Sequence, residues 1–159
     1  MSHRLLLVDD DPTLLDSLRR MLHVRRPDWE LICLDRCNTA WEFLQVSNFA
    51  LLIVDIWMPG MSGLELLERM RADRRHHDTP VVVLTGMAHQ RLRQRALEIG
   101  ATELINKPVD AERLLPILDA VLEERSAPGG DACSAIPPGS IAPALDDKAP
   151  SPHAENRSP

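Results

Sequence analysis

The chain has 159 residues, a formal net charge of −6, 13 prolines and no tyrosine. That length supports one domain with a sizeable core, and the acidic balance excludes a general nucleic-acid binder, which needs a basic face. The apolar stretch 5–8 that follows the first residues is too short for a signal-peptide core, and no apolar run approaches membrane-spanning length. The three cysteines, Cys33, Cys37 and Cys133, form no metal-type pair and leave an odd count, so the sequence predicts a reduced, cytoplasmic setting.

In chain order, short apolar runs alternate with stretches of helical spacing. The first run, residues 5–8, is followed by Asp11 as a helix N-cap, Pro12 at the first helical position, and Leu14, Leu18, Met21 and Leu22 on one face. The second, 31–34, precedes a helix opening at Asn38 with Ala40, Trp41 and Leu44 in phase. The third, 51–54, precedes a helix opening at Ser62 with Leu64, Leu67 and Met70 in phase. The fourth, 81–84, precedes one carrying Leu92, Ala96 and Ile99 and ending at Gly100, a C-terminal cap. The fifth, 104–105, precedes a helix opening near Asp110 with Leu114, Leu118, Val121 and Leu122. Pro116 sits inside that last helix and removes a backbone donor, which predicts a kinked first turn or a late start. The third and fourth runs read as strands buried on both faces. From residue 126 to 159 the chain is mostly Pro, Ala, Ser and Gly without apolar periodicity, and reads as a disordered tail after a domain spanning 1–125.

Five strand–helix pairs in strict alternation predict an α/β fold, a doubly wound five-stranded parallel sheet with helices on both faces. In such sheets, polar groups at the carboxyl ends of the strands converge at the topological switch point. Here the first run ends at Asp9-Asp10-Asp11, the third at Asp55 and the fourth at Thr85, and the fifth is followed by Lys107-Pro108. Three gathered carboxylates repel, each pair by roughly 4 kcal/mol at about 4 Å and an effective dielectric near 20. Such a cluster either raises its pKa values or binds a cation, and oxygen ligands without His or Cys suit Mg²⁺. Asp55 is then a candidate nucleophile for phosphoryl transfer, with the ammonium and hydroxyl stabilising and orienting the transferring group. Taken singly, Asp10 and Asp11 fit helix caps, Thr85 a strand-end hydroxyl and Lys107 a solvated charge. Asp55 interrupts an apolar run, where a lone carboxylate is costly. Lysine itself is scarce, with two against 16 arginines, and Lys107 is the one in the predicted domain.

Four segments carry a family pattern: Leu-Leu-Leu-Val-Asp-Asp-Asp-Pro (5–12), Val-Asp-Ile-Trp-Met-Pro-Gly-Met-Ser-Gly (54–63), Val-Leu-Thr-Gly (83–86) and Gly-Ala-Thr-Glu-Leu-Ile-Asn-Lys-Pro (100–108). Over residues 4 to about 124 the chain resembles a response-regulator receiver domain of two-component signalling, with a CheY-like, flavodoxin-like (βα)5 topology. The resemblance implies a phospho-acceptor switch rather than a free-standing enzyme. Asp55 would accept a phosphoryl group from a histidine kinase or histidine phosphotransfer protein. Asp10 and Asp55 would bind Mg²⁺ through side chains and Trp57 through its backbone carbonyl, with Asp9 acting through a metal-bound water. Thr85 and Lys107 would bind the phosphoryl group, Pro59 and Gly60 would shape the loop, and Pro108 would tolerate a cis peptide after Lys107. Receivers usually carry Tyr or Phe where this chain has Leu104. A leucine cannot perform the ring movement of the family, so either Leu104 repacks or output uses another part of the fourth and fifth helices. Trp57 and Met87 are expected to flank the site mouth and slow loss of the phosphoryl group; simple cover of apolar surface explains them equally well.

Rival readings remain. Asp9-x-Asp11-x-Thr13 also resembles the first motif of haloacid-dehalogenase-like phosphatases, with Asp9 as nucleophile, Asp11 as acid/base, and Thr85 and Lys107 in the second and third motifs. That reading leaves Asp55 without a role and lacks a strand ending in paired acids after the lysine. A receiver serving as an unphosphorylated scaffold does not need the full acidic, hydroxyl and lysine set, and no Gly-x-Gly-x-x-Gly supports a dinucleotide site. His76 and His77 lack ligand spacing and read as loop residues. The row Arg91, Arg93, Arg95 could meet an acidic partner or a second copy through the fourth and fifth helices, though a solvated face is the simpler reading. No direct nucleic-acid or membrane contact is expected, and the output partner is unknown.

Overall fold

The computed structural model describes residues 2–86 and 90–126. Five strands, β1 (Arg4–Val8), β2 (Glu30–Leu34), β3 (Leu51–Asp55), β4 (Val81–Thr85) and β5 (Glu103–Asn106), alternate with five helices, α1 (Pro12–Arg25), α2 (Cys37–Val46), α3 (Gly63–Ala72), α4 (Gln90–Ile99) and α5 (Ala111–Ser126). All strand pairs are parallel and the sheet order is β2-β1-β3-β4-β5. This is the doubly wound five-stranded sheet that the alternation predicts, with its switch point between β1 and β3.

The pleat sorts the strand residues between two cores. Leu6, Val8, Leu52, Val54, Val81 and Val83 face α2, α3 and α4. Leu5, Leu7, Leu51, Ile53, Val82 and Leu84 face α1 and α5. β3 and β4 are buried at every position, as continuous apolar runs in a parallel sheet require. Cys33 packs on the α1 side and Cys37 on the α2 side, so the sheet separates the two thiols.

Helix starts follow local chemistry. Asp11 Oδ1 accepts the Thr13 and Leu14 N–H groups at 2.9 and 3.3 Å with Pro12 at the first position of α1. Ser62 and Glu65 form a reciprocal capping box at α3, with bonds of 3.2 and 2.7 Å. Gly100, at φ +111°, closes α4. α2 begins at Cys37, one residue before the expected Asn38, and Arg36 offers it no side-chain cap. α5 begins at Ala111 and runs through Pro116 as one helix, so the late start is not adopted. Of the predicted tail, 126–159, Ser126 ends α5 and residues 127–159 lie outside the described residues, as does Met87.

Two side chains fasten the α3–β4 connection. The half-buried Arg71 guanidinium donates to Thr79 O at 2.9 Å, His76 O at 3.3 Å, and Gly100 O at 2.7 and 3.1 Å. His76 is buried, and its Nε2 meets Leu44 O at 2.7 Å. It is therefore a packed tie between α2 and this connection, not the loop decoration that its sequence context suggests. The connection delivers the chain to β4, which ends at Thr85. Arg71→Ala leaves three main-chain carbonyls without their charged donor, and urea unfolding is expected to show a loss of about 2–3 kcal/mol.

Candidate functional site

Strand register assembles the site. Val8 pairs with Val54, so the residues that follow, Asp9 and Asp55, stand side by side at the switch point. Asp55 pairs with Leu84, which puts Thr85 one step beyond, and Thr85 pairs with Asn106, which puts Lys107 next. Asp9, Asp55 and Thr85 are 0, 4 and 2% exposed, and Asp10 is exposed. A carboxylate oxygen from each of Asp9, Asp10 and Asp55 lies within 4.8 Å of the other two.

One ammonium serves this cluster. Lys107 Nζ lies 2.6 Å from Asp9 Oδ2 and 3.4 Å from Asp55 Oδ2. Asp9 Oδ1 accepts the Asp11 N–H at 2.9 Å, which fixes the carboxylate, whereas buried Oδ2 meets Lys107 as an ion pair without an aligned hydrogen bond. Burial pushes the Asp55 carboxyl up from its usual range, and nearby Asp9 adds to that rise. Lys107 and the Trp57 N–H act in the opposite direction, and the net shift is upward. For Lys107, burial disfavours the charge, but its contacts with Asp9 and Asp55 outweigh burial and raise its pKa. Buried Cys37 is also within reach of the Asp55 charge; burial first, then Asp55 and Glu65, push its thiol up to about 12.

The donor set fits a hard divalent cation. It is all oxygen and carries three negative charges against one ammonium, and it includes a buried carboxylate oxygen without an aligned donor. Lys107–Pro108 is a cis peptide. Thr85 Oγ1 donates to Gly86 O at 2.9 Å, so its hydroxyl is engaged with main chain rather than with the carboxylates. Trp57, two residues after Asp55, is 59% exposed. Leu104 is half-buried and, like Leu92, Ile99 and Ala101, packs against the core on the α2–α3–α4 face of the sheet.

One determinant escaped the sequence reading. A Cβ on Gly63 would lie 2.1 Å from Asp55 O, so only glycine lets α3 start against the end of β3. Gly63 N–H also donates to Ile56 O at 3.1 Å. Its place in the Met-Pro-Gly-Met-Ser-Gly segment was visible, but the contact that demands it depends on the fold.

A family model described as the response regulator receiver domain matches residues 5–119. Response regulator Rre1 of Synechocystis sp. is 32% identical over 123 residues, covering 77% of this chain and 53% of that protein. Regulatory protein VanRB of Enterococcus faecalis is 32% identical over 127 residues, covering 80% of this chain and 56% of that protein. The chain thus spans about half the length of the curated relatives it matches. Among solved structures, a CheY-like receiver domain protein from Methanospirillum hungatei superposes with a TM-score of 0.73 at 29% identity, over 79% of this chain and 98% of that one. Chemotaxis response regulator CheY4 of Vibrio cholerae gives 0.70 at 26% identity, over 76% and 99%. With strand ends, register and acidic cluster all agreeing, the chain belongs to the response regulator receiver domain family, the signalling switches of two-component systems. The phosphatase alternative is not favoured: the match includes Asp55 and its loop, which that alternative leaves without a role.

Because the folded-state pKa of Asp55 is raised, its ionisation costs stability. Its contribution is fully present below the unfolded pKa and is lost as pH rises through the folded value. In EDTA at pH 7, Asp55→Asn is therefore expected to unfold about 3–5 °C higher than wild type, for a gain on the order of 1 kcal/mol. The gap should shrink as pH falls towards about 4. Equal midpoints at both pH values contradict the assignment of that cost.

Proposed function

We propose that Asp55 is the phospho-acceptor of this receiver, in a Mg²⁺-dependent reaction. The observation that carries the proposal is the juxtaposition of Asp55 Oδ2 and Lys107 Nζ at 3.4 Å within a cluster that contains two more carboxylates. Asp10 and Asp55 would hold the ion through side chains and Trp57 through its carbonyl, with Asp9 acting through a water. The ion, when bound, neutralises charge on the phosphoryl oxygens.

In the transfer, an Asp55 carboxylate oxygen attacks phosphorus. The bond to the donor breaks, and the donor group leaves with the bonding electron pair, as the imidazole of a phosphohistidine or as acetate from acetyl phosphate. Lys107, already positioned by Asp9, shifts its charge towards the new phosphoryl oxygens. Thr85 turns its hydroxyl from Gly86 O to a phosphoryl oxygen. Hydrolysis later returns the carboxylate, and the domain acts as a phospho-acceptor switch that promotes both its own phosphorylation and its own dephosphorylation. Trp57, exposed and two residues after Asp55, is proposed to limit water access to the acyl phosphate, and Met87, two residues after Thr85, is proposed for the same role.

The partners that fit are a histidine kinase or histidine phosphotransfer protein as donor and an output protein as receiver of the signal. A second copy could dock through α4 and α5. A cytoplasmic setting is part of the proposal; among the described residues no helix is long and apolar enough to cross a membrane.

Incubation with radiolabelled acetyl phosphate and Mg²⁺ tests this reading. Label should reach Asp55, disappear with EDTA and be absent from Asp55→Ala. Label on Asp9 would contradict it and restore the phosphatase alternative. In the chase, Trp57→Ala should shorten the half-life of the label about two- to fivefold, and an unchanged half-life assigns Trp57 to surface cover alone.

A further inference from the structure

Among the described residues, one polar contact joins α4 to the end of β5. Arg93 Nη1 donates to Asn106 Oδ1 at 2.6 Å. Asn106 ends β5 and pairs in register with Thr85, the end of β4. The next residue is Lys107, whose N–H donates to Thr85 O at 2.7 Å while its ammonium meets Asp9 and Asp55. One short chain of contacts therefore runs from the α4 guanidinium through Asn106 to both groups that would meet a phosphoryl oxygen. Leu92 of α4 and Leu104 of β5 are partly buried and pack against the apolar core, a non-directional contact. The neighbouring Arg95 is instead paired with Glu68 of α3 at 2.7 Å, which sets Arg93 apart within the arginine row.

We infer that Arg93 and Asn106 form a positioning pair that holds the ends of β4 and β5 in the arrangement described here and thereby restrains Thr85 and Lys107. The inference rests on Asp55 being the phospho-acceptor. In this arrangement the Thr85 hydroxyl is spent on Gly86 O. Binding a phosphoryl group at Asp55 requires that hydroxyl to turn away. The adjoining main-chain bond passes the movement to Lys107 and Asn106. A bond from α4 that favours the starting arrangement opposes the change, and by linkage a group at Asp55 loosens the bond. α4 thus senses the state of the site through a hydrogen bond.

The test uses the full chain and acetyl phosphate, with beryllofluoride as phosphoryl mimic. Arg93→Ala and Asn106→Ala should each speed labelling of Asp55 and tighten beryllofluoride binding about two- to fivefold, the range for one exposed polar pair. The double variant should gain no more than either single one, and Arg91→Ala should match wild type. In NMR spectra of wild type, beryllofluoride should move the Asn106 side-chain amide towards its position in Arg93→Ala, a readout that a purely stabilising contact would leave still. Unchanged rates, additive gains, an equal gain in Arg91→Ala or a stationary Asn106 amide would each overturn the inference while leaving phosphorylation intact. Absence of label from wild type as well would instead remove the phospho-acceptor reading beneath it.

Discussion

The site depends on one ammonium placed between two buried carboxylates. Lys107 Nζ contacts Asp9 at 2.6 Å and Asp55 at 3.4 Å, and a third carboxylate, from Asp10, lies in the same cluster. A single positive charge cannot neutralise three negative ones, so the cluster keeps a deficit that a divalent cation or a transferred group can change. The upward shifts of Asp55 and Lys107 express the same imbalance from its two sides: burial and a like charge disfavour ionised Asp55, whereas the surrounding carboxylates hold the proton on Lys107.

The rest of the fold serves to bring these groups to one rim. Two apolar cores clamp the sheet, and parallel register then sets Asp9, Asp55, Thr85 and Lys107 at successive strand ends. Gly63 allows α3 to start against the carbonyl of Asp55, and Arg71 ties the C-terminus of α4 to the segment leading into β4. These supports are rigid and main-chain directed. The parts left free to change are side chains: the Thr85 hydroxyl, the Lys107 ammonium and the Arg93–Asn106 contact.

Much of this was legible in the sequence because it depends on periodicity and strand ends. The five apolar runs, the caps at Asp11, Ser62 and Gly100, and the ordered Asp, Asp, Thr and Lys residues required only local pattern and one rule about parallel sheets. The direction of the Thr85 hydroxyl was not legible, since the nearby Gly86 carbonyl sets its rotamer. Arg71 and His76 were missed for a related reason. Each bonds main chain some thirty residues away, and such a contact leaves no periodic trace, so His76 reads as a loop residue and Arg71 carries no signal. Of the two outcomes that Pro116 predicts, the late start is not adopted: α5 begins at Ala111 and carries Pro116 on an exposed position.

Thermal unfolding of the metal-free chain against added Mg²⁺ tests the charge deficit most directly. At a Mg²⁺ concentration about ten times the dissociation constant, linkage predicts stabilisation of about 1.4 kcal/mol and a midpoint several degrees higher. Asp10→Asn should fold as well as wild type, because its carboxylate is exposed, yet lose most of that gain. An equal Mg²⁺ response in wild type and Asp10→Asn, or none in wild type, would contradict the account.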